Sequence, residues 1–204
     1  MPGEIIRAVV IAITGHRDYP DRAGFLRGLD RLQADKYLFG GARGADTDAL
    51  RYLAETQPGA TRVVVVPNRL IDQPVVAQAA IKQYANEIIE LGNAGPDRYM
   101  IRNRYMVDHS DQVAAFYDGR GSGGTYNTIQ YAESKGVIVD IMPLVEMNEA
   151  AIQAMTWNDF NLWLDGCRIA NIPRMCVKSV VIRRMKLAPR GDWSGVLTKL
   201  HQLR

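Results

Sequence analysis

The feature that most constrains the fold is an alternation, across residues 1–143, of short β-branched segments with longer segments of helical periodicity. Val and Ile are almost continuous in Arg7–Thr14 and in Arg62–Val66, which is typical of strands buried on both faces. This alternation predicts an α/β fold, with a parallel sheet of about five or more strands flanked by helices. The other predicted strands are Tyr37–Phe39, Gln112–Tyr117 and Val137–Met142.

Between the strands, apolar residues recur at helical spacing. Helices are predicted over Ala45–Thr56 and Thr125–Ser134, and Asp97 is placed to cap another helix that runs to Asp108. The longest predicted helix is Gln73–Leu91, which the following GNAGP segment would end.

The alternation stops after Pro143. Residues 144–204 are predicted to form a small, basic α+β appendage, with a helix around Trp157–Ile169, a strand or hairpin around Cys176–Leu187 and a last helix after Trp193. We therefore divide the chain into a domain of residues 1–143, which carries the candidate site, and a C-terminal appendage of residues 144–204.

Charge is distributed unevenly between these parts. Residues 166–204 carry nine Lys or Arg against one acidic residue, whereas residues 1–165 carry 16 against 21. Such a basic tail is either a solvated face, a surface that packs on the acidic body, or a contact for a polyanion such as nucleic acid.

The composition is that of a globular protein, with 47% hydrophobic and 23% charged residues. No run of apolar residues is long enough for a transmembrane helix, and the N-terminus lacks a signal-peptide pattern. The two cysteines, Cys167 and Cys176, have no metal-ligand companions in the sequence. These features predict reduced thiols and a cytoplasmic protein.

Three glycine-bearing turns link predicted strands to helices. They are Thr14–Arg17, Phe39–Asp46 and Asp118–Thr125. Because the carboxyl ends of parallel strands share one edge of a sheet, such turns converge on one crevice. In the first turn, Gly15 allows a tight backbone, and the next two side chains, His16 and Arg17, can reach a ligand.

The second turn leaves the backbone N–H groups of Gly40, Gly41 and Gly44 unshielded, next to the positive end of a helix dipole. Arg43 has the bidentate fork that clamps an anion. Asp46 contacts a phosphate or ribose at this turn, or else caps the helix. No Gly-Lys-Ser/Thr sequence follows, so this is not a Walker loop.

The third turn is the strongest local signal. Its glycines fill four of the six positions 119–124, and the hydroxyls of Ser122 and Thr125 stand at a helix start. The pattern predicts a second anion-binding turn, formed by Ser122, Gly123, Gly124 and Thr125.

Between these turns lies the segment Arg102-Asn103-Arg104, within a predicted helix. The spacing alone leaves Arg102 free to face either solvent or the crevice. No metal site is predicted, because His16, His109 and His201 are scattered along the chain.

Together these motifs resemble those of a known superfamily. The order ITGHRD, GGARGADTDAL, RNRYMVDHSD and AAFYDGRGSGGTYNTIQYAESKG is similar to the superfamily that joins DNA-processing protein A (the Smf family) with the "Lonely guy" lysine-decarboxylase-like proteins. The likeness is strongest to its small bacterial and phage members, described as nucleotide-sensing or nucleotide-processing domains. It covers roughly residues 7–143.

The resemblance implies a Rossmann-like fold that holds a nucleotide phosphate near GGARG and near GSGGT, and a tendency to form homo-oligomers. The arginine of the superfamily's RN pair falls on Arg102, with Asn103 beside it. By motif position, the implied binding residues are Gly41, Arg43, Gly44, Gly123, Gly124 and Thr125, with Gly15 and Arg17 lining the same pocket.

The leading hypothesis is a binding module. Two anion-binding turns without an evident acid–base pair favour a protein that binds a nucleotide or a nucleotide-derived phosphate, for example as a sensor. On this hypothesis the ligand is a nucleotide, and no cofactor is required.

The enzymatic branch of the superfamily implies an alternative, which is phosphoribohydrolase-like cleavage of the N-glycosidic bond of a nucleoside monophosphate. That branch carries a PGGxGTxxE pattern, but here Asn127 and its neighbours stand where the glutamate is expected. An amide cannot act as a general base. The catalytic residues would then be Arg102, with Asp118 or Glu133 in place of the missing acid.

The DNA-processing branch implies a second alternative, which is binding of single-stranded DNA. The residues that would contact the strand are Arg102, Arg104, Arg183, Arg184 and Lys186. The acidic body counts against this hypothesis, because it opposes affinity for the phosphate backbone. Residues 144–204 also lack a winged-helix pattern.

Overall fold

The computed structural model describes residues 8–19, 22–117, 122–143 and 193–202, together with single residues between 156 and 185. Six strands in this part of the chain form one sheet, and all neighbouring strands are parallel. This confirms the predicted α/β fold with a parallel sheet. The strands are β1 Val10–Gly15, β2 Lys36–Phe39, β3 Thr61–Val66, β4 Glu87–Glu90, β5 Gln112–Tyr117 and β6 Ile138–Pro143, and their order in the sheet is β4-β3-β2-β1-β5-β6.

Helices cover both faces of the sheet. They are α1 Arg22–Asp30, α2 Ala45–Thr56, α3 Val75–Tyr84, α4 Arg98–Asp108, α5 Gly124–Ser134 and α6 Trp193–His201, with a short 3-10 turn at Leu70–Asp72. Among the described residues, none of these helices is both long and apolar enough to cross a membrane.

The core has two layers because successive side chains of a strand point to opposite faces of the sheet. In β5, Ala114 and Phe116 pack on one face, in the same cluster as residues of α1, α2 and α3. Val113 and Ala115 pack on the other face, with residues of α4, α5 and α6. The near-continuous apolar runs predicted as buried strands are therefore covered on both sides.

The helix predicted over Gln73–Leu91 is wrong in its second half. The structure ends α3 at Tyr84 and places the edge strand β4 at Glu87–Glu90. Asn86 lies between α3 and β4 and is bonded to β3: its side chain accepts a hydrogen bond from the Arg62 N–H, and its own N–H donates to the Arg62 carbonyl. No Gly or Pro marks the boundary, and pairing with β3 overrides the helical spacing.

The described residues of the C-terminal part pack on the face formed by α4 and α5. Phe160, Val181, Val196 and Leu200 are buried in that cluster. The helix predicted after Trp193 is present as α6. Val181 is helical, as is Met185, where a strand or hairpin was predicted. The basic residues Arg183, Arg184 and Lys186 lie outside the described residues, and the domain boundary at 143 stays a prediction.

Candidate functional site

The strand order defines where a ligand site is expected. From β1 the chain moves outward through β2, β3 and β4 on one side, and then returns to place β5 and β6 on the other. The direction of winding therefore reverses between β1 and β5. In open parallel sheets, ligands bind outside the carboxyl ends of the strands at this reversal.

A cavity of about 310 Å³, here called the crevice, opens at this position. Its volume lies at the lower end of the range of small-molecule sites, which is roughly 300–1,000 Å³. The crevice contains residues from all three glycine-bearing turns and from α4. Of the predicted site residues, those in its walls are Gly15, Arg17, Gly40, Asp46, Arg102, Asn103, Ser122, Gly123, Gly124 and Thr125.

Other predicted residues lie elsewhere. Gly41 faces the core, where an added Cβ would be 2.9 Å from a methyl group of Val64. Arg43 is exposed and is not part of the crevice wall. Gly44 is also absent from that wall and packs instead on the backbone of Arg17. These three residues lie outside the crevice wall, and their phosphate-binding role stays a prediction.

The candidate acids of the hydrolase hypothesis are not brought together either. Glu133 lies near the far end of α5, exposed and hydrogen-bonded to Gln130. Nine residues of helix separate it from Gly124, a rise of about 13.5 Å. The assignment of Glu133 as a catalytic residue is therefore not supported. Asp118 lies outside the described residues.

The start of α5 provides the most open backbone of the crevice. Gly123 is the N-cap residue, with a φ of 95°, and it contributes no capping side chain. A Cβ at Gly123 would meet nothing within 4 Å, and one at Gly124 would meet only the Asn103 amide nitrogen, at 3.8 Å. The first N–H groups of a helix have no intrahelical partner. Among the described residues, no side chain shields the donors at this end of α5, which also carries the positive end of the helix dipole.

The opposite wall is held by a buried ion pair. An Arg102 guanidinium nitrogen lies 3.7 Å from an Asp46 carboxylate oxygen, and both side chains are less than a tenth exposed. Arg102 also donates to the Gly40 carbonyl, and the Asp46 carboxylate accepts from the Ala42 N–H at 3.1 Å. The pair thus fastens α4 to the β2–α2 turn, and Asp46 does not cap α2.

Glycine is required at position 40 by this pair. A Cβ there would lie 2.7 Å from the Asp46 carboxylate and would overlap the Arg102 guanidinium. The orientation of Arg102, which the sequence left open, is thus decided: it is buried and lies in the crevice wall.

Burial shifts the pKa values of both ionisable groups of this pair. Desolvation raises the pKa of the Asp46 carboxyl, and the Arg102 charge opposes that rise. Desolvation also lowers the pKa of Arg102, which still stays protonated because guanidinium is so weakly acidic. The Arg102 Nε is buried and has no hydrogen-bond partner among the described residues.

His16, which follows Gly15, is buried in the crevice wall, and its ring stacks on Tyr117 with centroids 5.7 Å apart. Sequence reasoning missed Tyr99 and Met106, which also line the crevice. Both lie on the same helical face as Arg102, since residues three and four apart are neighbours on a helix. That spacing was a usable signal once the direction of Arg102 was known.

Metal-binding side chains are not clustered in the described ranges. There, no three His, Cys, Asp or Glu residues lie close enough together to hold an ion.

No protein-family model matches the chain. A curated protein does match the chain. The two are 30% identical over 121 residues, and the relative is the uncharacterized SPbeta prophage-derived protein YoqJ of Bacillus subtilis (strain 168). The match covers 48% of this chain and 69% of that protein. The chain belongs to the YoqJ family.

The fold of this YoqJ-family chain is also found in a solved structure. The X-ray structure of DNA processing protein A (DprA) from Streptococcus pneumoniae matches with a TM-score of 0.55 and 19% sequence identity. The match covers 79% of this chain and 55% of that one, so this chain spans about half the length of the solved protein. The likeness shows a shared fold, in line with the DNA-processing half of the resemblance. The "Lonely guy" half has no support from these comparisons.

Proposed function

We propose that the crevice binds the phosphate of a nucleotide, with the start of α5 as its anion-binding element. The observation that carries this proposal is the position of that helix end: no described side chain caps it, Gly123 and Gly124 carry no Cβ, and it lies in the wall of a cavity at the reversal of strand order. A helix N-terminus at such a position is a ready-made phosphate site.

The charged side chains of the crevice wall are Arg17, Asp18, Asp46 and Arg102, and of these Arg17 favours a bound phosphate. Arg102 is already paired with Asp46, so its charge is largely used within the protein. Arg17 is exposed in the crevice wall and forms no ion pair with another described residue. It is therefore the side chain we assign to contact the phosphate, together with the backbone N–H groups of α5.

Gly124→Asp tests this proposal directly. The space around Gly124 accommodates a Cβ, and a carboxylate at the start of a helix favours helix formation, so the variant should fold. The same charge would repel a bound phosphate, since two like charges about 4 Å apart near a protein surface repel by roughly 4 kcal/mol before screening. We expect at least a tenfold rise in Kd for nucleoside 5′-phosphates, measured by titration calorimetry.

Gln130→Glu is the matched control. It adds the same charge to α5 at an exposed position that does not line the crevice. Its Kd should stay within a factor of two of the wild-type value. The proposal is wrong if no member of a panel of nucleoside mono-, di- and triphosphates binds the wild type at millimolar concentration, or if Gly124→Asp binds as tightly as the control.

A second candidate function is binding of single-stranded DNA, in which the phosphate belongs to a strand. The fold shared with DNA processing protein A favours it. The buried and paired Arg102 is a poor strand contact, whereas Arg104 is exposed on α4 beside the crevice. On this hypothesis we expect Arg104, and not Arg102, to contact the backbone.

Salt dependence distinguishes the two candidates. For single strands, the slope of log K against log salt is roughly 0.7 per phosphate contacted. If a strand is bound, Arg104→Ala should lower the slope for a fluorescent oligothymidylate by about 0.7, as anisotropy titrations would show. Arg31→Ala should leave it unchanged, because Arg31 follows α1 at the opposite edge of the sheet. Binding of mononucleotides with no affinity for the oligonucleotide would eliminate this second candidate.

A further inference from the structure

A second cavity adjoins the crevice. It has a volume of about 240 Å³ and lies between α4 and α5, and we call it the α4–α5 cavity. The two cavities share Tyr99, Asn103, Gly124 and Thr128 in their walls and are therefore direct neighbours. We infer that the α4–α5 cavity binds the nucleobase of the ligand whose phosphate occupies the crevice. This inference rests on the proposed function.

Flat groups line the α4–α5 cavity. The Tyr131 ring is half-buried, and its hydroxyl donates to the Asp108 carboxylate, which fixes the ring. The Arg104 guanidinium and the Lys135 ammonium both lie over that ring, each 5.3 Å from its centroid. The Tyr99 ring lies at the boundary with the crevice. Proteins hold unpaired bases by stacking them on aromatic rings and guanidinium planes such as these.

Two side-chain amides supply the polar edge of the α4–α5 cavity. Asn103 makes only a long contact, 3.5 Å, with the Gly124 carbonyl. The side chain of Asn127 has no hydrogen-bond partner among the described residues, and it lines this cavity but not the crevice. An amide presents both a donor and an acceptor, which suits the hydrogen-bonding edge of a base. Asn127 thus has a role in base recognition, at the place where a hydrolase would need a glutamate.

The spacing along α5 fits one nucleotide. Asn127 follows Gly124 by three residues, a rise of about 4.5 Å along the helix. A phosphate at the start of α5 and a base beside Asn127 are therefore separated by about one sugar. Thr128 is buried and lines both cavities, and its hydroxyl donates to the Gly124 carbonyl. A ribose that joins the phosphate to the base would lie beside it.

Ribose 5-phosphate separates this inference from the proposed function, because it carries the phosphate and sugar without a base. Titration calorimetry would compare it with the 5′-monophosphates of adenosine, guanosine, cytidine and uridine. We expect the wild type to bind at least one nucleotide ten times more tightly than ribose 5-phosphate. If ribose 5-phosphate binds as tightly as every nucleotide, the inference is wrong and the proposed function stands. If nothing binds, the proposed function itself fails.

Substitutions locate the base. Asn127→Ala removes an exposed side chain that has no hydrogen-bond partner in the described part of the chain, so it should fold as the wild type does. It should raise the Kd of the tightest-binding nucleotide at least fivefold and leave the Kd of ribose 5-phosphate unchanged. Tyr131→Ala should raise the Kd of that nucleotide by about fivefold to 150-fold, the usual effect of losing one stacking ring. Gln130→Ala, on the same helix but outside both cavities, should change neither ligand. An unchanged nucleotide preference in Asn127→Ala would place the base elsewhere.

Asn127→Asp should change the order in which the protein prefers the four bases, an effect that a purely structural role of Asn127 would not produce. A carboxylate only accepts hydrogen bonds, so the variant should favour bases with an exocyclic amino group over uridine. Affinities are taken relative to ribose 5-phosphate, which corrects for the added charge. If only a strand binds, the same ratios are measured with an oligonucleotide and its abasic counterpart of equal length. An unaltered order of bases in Asn127→Asp would contradict the inference.

Discussion

Replacing Arg102 with Met is expected to lower the free energy of unfolding by about 3–5 kcal/mol, because it leaves the Asp46 carboxylate buried without its partner. Urea unfolding followed by circular dichroism would measure the change. Arg104→Met is the matched control: Arg104 lies on the same helix but is exposed, so its loss should cost no more than about 0.5 kcal/mol.

A double variant that also replaces Asp46 tests whether the loss of stability comes from the ion pair. In the Asp46→Asn, Arg102→Met double variant no buried charge is left unpaired, so the loss should be clearly smaller than the sum of the two single losses. If Arg102→Met unfolds at the same urea concentration as Arg104→Met, the ion pair does not hold α4 to the β2–α2 turn.

The loss of unfolding free energy in Arg102→Met should also depend on pH. Burial raises the pKa of Asp46 in the folded protein, and Arg102 opposes that rise. Without Arg102 the folded-state pKa rises further, so the folded variant takes up a proton that the unfolded chain does not hold at the same pH. The difference in stability from the wild type should therefore shrink as the pH falls through this raised pKa towards the ordinary value. Urea curves at pH 7 and pH 5 would show it.

Gly44→Ala is expected to cost about 3 kcal/mol or more of folding free energy. Gly44 has a φ of 85° and a ψ of −130°, a conformation that costs a residue with a Cβ roughly 1–3 kcal/mol. The added Cβ would also lie 2.2 Å from the backbone carbonyl oxygen of Arg17. That backbone cannot move aside without disturbing the β1–α1 turn, which forms part of the crevice wall.

Gly136→Ala separates the two causes of this loss. Gly136 also has a positive φ, of 70°, but a Cβ there meets nothing within 4 Å. Its substitution should cost about 1–2 kcal/mol, the price of the left-handed conformation alone. Thermal and urea unfolding would compare the two variants. Equal losses would mean that the Gly44 turn does not approach Arg17 as closely as the structure indicates.

Several parts of the site could be predicted from local sequence. Gly15, Gly40 and Gly124 were assigned to turns at strand ends, and all three line the crevice. The prediction worked because the carboxyl ends of parallel strands must share one edge, whatever the details of packing. It did not show that Gly41, Arg43 and Gly44 lie outside the crevice wall, since the sequence does not show which way each residue of a loop faces.

Periodicity and glycine content, which act within a few residues, were enough to predict the alternation of strands and helices and the edge of the sheet at which the glycine-bearing turns meet. The three-dimensional structure was needed to show that Arg102 turns inward to Asp46, that Glu87–Glu90 is a strand, and that Asn127 lines the α4–α5 cavity. These outcomes depend on partners distant in sequence, whose burial and hydrogen bonds outweigh the local preference.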